Sequence, residues 1–367
     1  MGPDWMDRQP QEAFIRCEGI WKVFGARAKE AIQAVKAGQM TKVAIRDRLD
    51  CVVGVSDASF SVARGEIFCI MGLSGSGKST LIRHINRLIE PTAGAVYIEG
   101  RNVNAMGSRE LRQLRAEKIG MVFQNMALMP HRNVRDNVAF ALEVRGVPED
   151  KRRSVARQAI EAVELAGWDH KYPDELSGGM QQRVGLARAI AANPSILLMD
   201  EPFSALDPLI RRQLQGMFME LSAQLHKTTV FITHDLDEAI RIGDRIAIMR
   251  DGVLVQVGTP EEIVTNPADD YVADFVGGIS KLDLVTAAKV MQSLEQFRQA
   301  NPVRDMSGWP VARPDDKLNT LVDLSIGTTD PILVKDGDSS VGVVTKDALL
   351  RGIQGREENS SATRRAH

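Results

Sequence analysis

Residues 67–80 read I-F-C-I-M-G-L-S-G-S-G-K-S-T. The apolar run from Ile67 to Met71 stops at Gly72, which is the pattern of a short buried parallel strand. Residues 72–80 then fit G-x-x-x-x-G-K-[ST], the phosphate-loop pattern. Its glycines let the backbone curl until the N–H groups point at phosphate oxygens. A helix starting at Ser79 aims its positive end at the same anion. Gly72, Ser74, Gly75, Ser76, Gly77, Lys78, Ser79 and Thr80 are therefore candidate nucleotide ligands. Lys78 can reach the β- and γ-phosphates of ATP, and the Ser79 hydroxyl can hold Mg²⁺. A chance glycine-rich turn is the bland alternative, but the strand before and the helix after weigh against it.

Working outward, residues 196–201 read I-L-L-M-D-E, an apolar strand that ends in two acids. Asp200 would sit near the Mg²⁺, and Glu201 would polarise the attacking water. Acids often cap strands, so this reading draws its weight from the phosphate loop. Further strands are expected over 14–23, 52–62, 228–233 and 245–249, the last ending in the turn Asp251-Gly252. A helix is expected over 79–88, and a helical section rich in Arg and Glu over about 109–168. Residues 26–50, rich in Ala, Lys and Arg, break the strand pattern and read as a helical insertion. Alternation at this spacing implies a wound α/β sheet. The larger region should close near residue 278. Residues 280–355 form a smaller unit, and 356–367 a polar tail expected to be disordered.

The bulk numbers narrow the class. The chain has 367 residues, 44% hydrophobic and 26% charged, with a formal net charge of -2. That balance suits a globular protein and gives no bulk attraction to nucleic acid or anionic lipid. Cys17, Cys51 and Cys69 form no C-x-x-C pair, which argues against a disulfide framework and for a reduced compartment. The opening residues show no apolar signal-peptide core, and Met6 stands where a myristoylation signal needs Ser or Thr. No run approaches the roughly 18 apolar residues of a spanning helix. Any membrane span would come from another subunit.

Residues 174–190, D-E-L-S-G-G-M-Q-Q-R-V-G-L-A-R-A-I, resemble the signature of ATP-binding cassette (ABC) proteins. The resemblance extends over about 14–278. Gln124 in V-F-Q-N matches the family's Q-loop glutamine, Ser204-Ala205-Leu206-Asp207 its D-loop, and His234 in F-I-T-H-D its switch histidine. The resemblance implies an α/β phosphate-loop NTPase cassette: a wound mixed sheet with a helical subdomain at about 109–168. It implies that Glu201, His234 and Gln124 serve catalysis and that Ser79, Gln124 and Asp200 hold Mg²⁺. Ser177, Gly178 and Gly179 would cap the γ-phosphate held by the opposite subunit of a homodimer, with Asp207 close by. By itself His234 would more often be an ordinary core histidine; its family position reverses that. Met180 departs from the commoner L-S-G-G-Q ending but leaves the phosphate-contacting residues intact. Phe24 takes roughly the place of the adenine-stacking residue, directly before the insertion.

Within the family, residues 71–94, 123–134, 200–211 and 234–249 are most similar to the ATPase subunits of glycine betaine, choline and proline-type importers. In such systems a membrane permease and a substrate-binding protein select the solute. This implies a peripheral place on the cytoplasmic face of the inner membrane, with no nucleic-acid partner. Residues 126–131, exposed Met, Leu and Pro after Gln124, are suited to a partner helix; a satellite core cluster is the alternative. Residues 341–351, V-G-V-V-T-K-D-A-L-L-R, resemble the closing strand and helix of a regulatory CBS domain, so the smaller unit is expected to be an α+β module. It is short for two copies, and one should be degenerate. Ala348 stands where nucleotide-binding copies carry an acid, with Asp347 one residue early, which leaves a purely structural dimerising role open. The competing readings are a soluble cassette ATPase uncoupled from transport, an exporter motor, or an importer motor for another solute.

Overall fold

The computed structural model describes residues 13–300 and 306–354. The chain divides into two compact units, Met1–Thr259 and Pro260–His367. The expected tail at 356–367 lies outside the described residues.

The larger unit is built on a six-stranded mixed sheet. Its order is Val253–Gly258, Arg245–Arg250, Ile67–Met71, Thr228–Thr233, Ile196–Asp200, Ile119–Val122. All pairs are parallel except the first. Thr228–Thr233 and Ile196–Asp200 are buried throughout, so both faces are covered, and apolar side chains serve there without alternation. An antiparallel sheet, Val52–Ala63, Ala13–Phe24, Ala93–Ile98 and Arg101–Asn102, shares a core with it. Phe60 and Phe68 stack across this core at 5.0 Å. Leu81, Ile82 and Ile85 of the helix Lys78–Ile85 are buried in the same core, which anchors the phosphate loop.

The insertion forms two helices, Ala28–Lys36 and Lys42–Leu49. Thr41 caps the second by accepting from Ala44 N–H. Ile32, Ile45 and Leu49 pack on Trp21 and Val23 of the strand Ala13–Phe24 that precedes them, so the insertion has its own small core. The helix expected over 79–88 stops at Ile85, because Arg87 turns to a φ of 53°. The section read as helical over 109–168 is not continuous. It holds the helices Ser108–Lys118, Val134–Val144 and Glu149–Ala162, but Ile119–Val122 joins the central sheet. No helix among the described residues is long and apolar enough to cross a membrane.

By its internal contacts the smaller unit takes in the residues from Pro260 onward, ahead of the glycine pair at 277–278. The helices Pro260–Thr265 and Asp270–Val276 group with it, and Glu261 Oε1 accepts from Thr286 N–H at 3.2 Å. Its sheet runs Gln292–Ser293, Ser339–Val344, Ile332–Asp336, Val311–Ala312. Leu318 and Leu321 of the helix Leu318–Ser325 and Leu349 of the helix Lys346–Gln354 meet Ile332, Val334 and Val344 in its core.

Candidate nucleotide-hydrolysis site

The phosphate loop needs its glycines. Gly72 and Gly77 sit at φ 150° and 103°. A Cβ on Gly72 would lie 2.1 Å from Met249 O, and one on Gly77 2.3 Å from Gly54 O. Only glycine permits that approach. The loop backbone thus forms a cradle, and Ser76 Oγ is buried in it without a hydrogen-bond partner. Lys78, 3% exposed, donates from Nζ to Gly72 O at 2.8 Å and Leu73 O at 3.0 Å. Burial holds its ammonium pKa below the usual lysine range, against the pull of Glu201 and Asp200. A buried cation so placed favours a polyanion.

Ser79 Oγ donates to Asp200 Oδ1 at 2.7 Å. The two are hard oxygen donors of the kind Mg²⁺ takes. Arg83, one turn along the same helix, donates to Asp200 Oδ2 at 2.9 Å; Asp200 itself is 1% exposed. Glu201 follows at φ 47°, its N–H held by Ile232 O. This sharp exit from the strand presents its carboxylate to Lys78 Nζ at 3.8 Å and to His234 Nδ1 at 3.1 Å. With the carboxylate ionised, His234 Nδ1 is the donor. Five residues from three separate motifs therefore meet: Lys78, Ser79, Asp200, Glu201 and His234. They do so because the strands carrying them are neighbours in one parallel sheet and end on the same side.

Gln124 is exposed two residues beyond Ile119–Val122, whose Val122 pairs with Met199, so it leaves the sheet at the same end. Ser177 caps the helix Gly178–Ala191 by accepting from Met180 N–H. A Cβ on Gly179 would lie 2.7 Å from Ile210 Cγ2. Asp207 caps the helix Pro208–Leu225, accepting from Leu209 and Ile210 N–H at 3.1 Å. No described contact joins these residues to the Lys78 cluster. Phe24 is half-exposed, with Lys22 Nζ 5.0 Å from its ring centre and Gly54 against its edge. Sequence reasoning missed Arg83. Its signal was the spacing of four from Ser79, which puts both on one helix face.

A second feature lies beside Gln124. Met121, Phe123, Ala127, Met129, Phe140 and Val144 line an apolar groove of about 470 Å³. Val144 is 65% exposed and Phe140 36%. Of residues 126–131, singled out for a partner helix, Ala127 and Met129 line it.

Comparison with known proteins gives the family. Residues 55–204 match the family described as ABC transporter. The chain is 52% identical over 284 residues to the glycine betaine transport ATP-binding protein OpuAA of Bacillus subtilis, covering 77% of this chain and 68% of that one. It is 47% identical over 339 residues to the glycine betaine/proline betaine transport system ATP-binding protein ProV of Salmonella typhimurium, covering 92% and 82%. It is 40% identical over 344 residues to the trimethylamine N-oxide transport system ATP-binding protein TmoW of Pelagibacter ubique, covering 94% and 98%. Among solved structures it is similar to the dimeric post-hydrolysis state of the cassette MJ0796 bound to ADP and Pi. The TM-score is 0.57 at 31% identity, over 67% of this chain and 98% of that one.

Proposed function

This chain belongs to the ABC transporter family as an ATP-hydrolysing subunit of the betaine-importer group, and from that premise we propose how it works and what it moves. It acts as a homodimer on the cytoplasmic side of a membrane permease and drives uptake of a small quaternary or fully methylated amine, glycine betaine first, then choline or proline betaine. The solute class follows the printed names of its relatives, whose glycine betaine and trimethylamine N-oxide share a trimethylated nitrogen. The apolar groove beside Gln124 supports a permease helix as the docking partner. A substrate-binding protein would act only through that permease. We assign the smaller unit as a CBS-like module with a regulatory or dimerising role. Asp347 is engaged there by Arg351, one turn along the same helix, which weakens the case for an adenosine ligand.

The observation that carries the hydrolytic reading is the contact set of Lys78, Glu201 and His234 beside Ser79 and Asp200. Lys78 Nζ, turned inward by two loop carbonyls, meets the β- and γ-phosphate oxygens as they cross the cradle. Glu201 orients a water in line with the γ-phosphorus and accepts its proton. His234 holds the Glu201 carboxylate in place and can bond the departing phosphate through its other nitrogen. Ser79 and Asp200, with Gln124 as a further candidate, are the residues that would hold Mg²⁺, which when bound would offset charge on the phosphate oxygens. Ser177, Gly178 and Gly179 of a second protomer would offer a helix N-terminus to the γ-phosphate.

The test is uptake in proteoliposomes that contain the permease, with ATP on the cassette side. Labelled glycine betaine, choline and trimethylamine N-oxide should enter only with ATP, and not with a Glu201→Gln chain. Uptake that ignores ATP, or ATP hydrolysis that no methylated amine stimulates, would count against the importer reading.

A further inference from the structure

Just past Gln124 the backbone adopts a turn that L-residues avoid. Met126 and Ala127 sit at φ 37° and 49° in succession, and neither is Gly, Asn or Asp. Arg188 holds this turn in place. It lies on the helix Gly178–Ala191, and it donates from Nη1 to Ala127 O at 2.6 Å and from Nη2 to Met126 O. The two arms of one guanidinium thus grip two successive carbonyls, a fit that suits the planar fork of Arg and not the point charge of Lys. Arg188 takes part in none of the described ion pairs, and burial alone lowers its pKa. Arg188 is half-buried, and it uses these two donors on the strained turn.

The far side of the loop is clasped separately. Asn137, fully buried on Val134–Val144, accepts from Met129 N–H at 2.8 Å. It donates to Met129 O, Arg132 O and Asn133 O at 2.9–3.1 Å. Residues 129–133 are thereby fixed to one helix, and residues 126–127 to another. That other helix begins at Ser177, eleven residues before Arg188, which is about 16 Å along its axis. Arg188 also lines the apolar groove.

We propose that Arg188 is a positioning residue for hydrolysis. It locks the turn after Gln124 onto the helix that starts at Ser177, so that the two move as one body, and it thereby fixes where Gln124 stands relative to the Mg²⁺–phosphate end of the sheet. It touches neither nucleotide nor metal. The inference rests on the ATPase reading above and adds to it a side chain that ties two of its motifs together.

The experiment uses the full-length chain with Arg188→Met, Arg188→Lys and Ala127→Gly, alone and combined. ATPase rate, the Mg²⁺ concentration for half-maximal rate, Mg²⁺-free ADP affinity and melting temperature are measured for each. Arg188→Met should lower kcat about tenfold and raise the Mg²⁺ midpoint several-fold, with ADP affinity within about twofold of wild type; Arg188→Lys should fall between. Glycine accepts the left-handed conformation freely, so the Arg188→Met penalty should shrink in the Ala127→Gly background. An unchanged Mg²⁺ midpoint, with rate falling only as melting temperature falls, would overturn the proposal and leave Arg188 a structural residue. So would strictly additive effects in the double variant. A wild-type chain without ATPase activity would instead remove the reading on which the proposal stands.

Discussion

Glu201 leaves its strand in a left-handed conformation, a position few glutamates adopt. That backbone is kept because it turns the carboxylate back toward Lys78 and His234, and local strain of this kind recurs at sites that must aim a side chain. Replacing the carboxylate by an amide leaves the aim and removes the proposed base. Glu201→Gln should therefore bind ATP as wild type does while hydrolysis slows about 10²- to 10³-fold, as a nucleotide titration beside a phosphate-release assay would show. Glu238 offers a pH prediction. Burial, with Asp235 adding to it, raises its carboxyl above the ordinary 4.5, against hydrogen bonds from Thr233 and Gln215. A raised carboxyl favours the folded state in acid, and that advantage is lost as pH rises through the folded value. Glu238→Gln cannot ionise, so its melting temperature should gain steadily on wild type over the range in which pH rises above the ordinary carboxylate value of 4.5. A constant difference across that range would discard the idea. At this scale the sequence was most legible where the clustered side chains are contiguous, as in Lys78-Ser79 and Asp200-Glu201. The spacing of Arg83 from Ser79 put it on the same helix face, but its bond to Asp200, and those of Arg188 to Met126 and Ala127, span more than 60 positions, and only the fold supplies such pairings.

The same limit holds for elements. Ile67–Met71, Thr228–Thr233 and Arg245–Arg250 could be read closely because each is an apolar run bounded by a turn or charge. Ile119–Val122 could not, because four residues following the Arg-rich helix Ser108–Lys118 carry no period of their own, and their strand character comes from pairing with Ile196–Asp200. Missing that strand also hid the reason Gln124 leaves the sheet at the same end as Asp200. The insertion was legible as helical, but its separate core on Trp21 and Val23 was not. The helix Val134–Val144 carries a prediction. Its Phe140 and Val144 are exposed on the rim of the apolar groove, where a surface substitution should change stability by only about 0.5 kcal/mol. Val144→Asp should leave basal ATPase within about twofold and remove most of its stimulation by the permease, because a charge in the groove must be desolvated on docking. Parallel loss of basal rate and melting temperature would mean that Val144 is part of the core.

Whole-molecule behaviour turns on where the two units divide. Gly277-Gly278 looked like a linker, but Gly277 is at φ -60° and only ends the helix Asp270–Val276. The break falls between Thr259 and Pro260, where proline takes the first position of a helix, which its missing N–H suits. Val264, Val276 and Ile279 line a pocket with Ile353, all within the smaller unit. Two truncations test this division. A chain ending at Thr259 keeps every residue of the Lys78 cluster and the whole six-stranded sheet, and the likeness to the MJ0796 cassette spans a similar share, 67% of the chain. It should fold and hydrolyse ATP within about threefold of the full chain, as expected when a domain retains its own core. A chain ending at Ile279 keeps the two helices but strips away Ile353 and the sheet with which they group. Its uncovered apolar residues should lower solubility and broaden the melting transition. A protomer of either length would hold only half of the proposed γ-phosphate contacts, so specific activity should rise with protein concentration. Mixing Ser177→Arg with Lys78→Ala chains should restore at most one working site per dimer. If the chain ending at Ile279 proves the better behaved of the two, helices Pro260–Thr265 and Asp270–Val276 belong energetically to the cassette and the division at Thr259 is wrong.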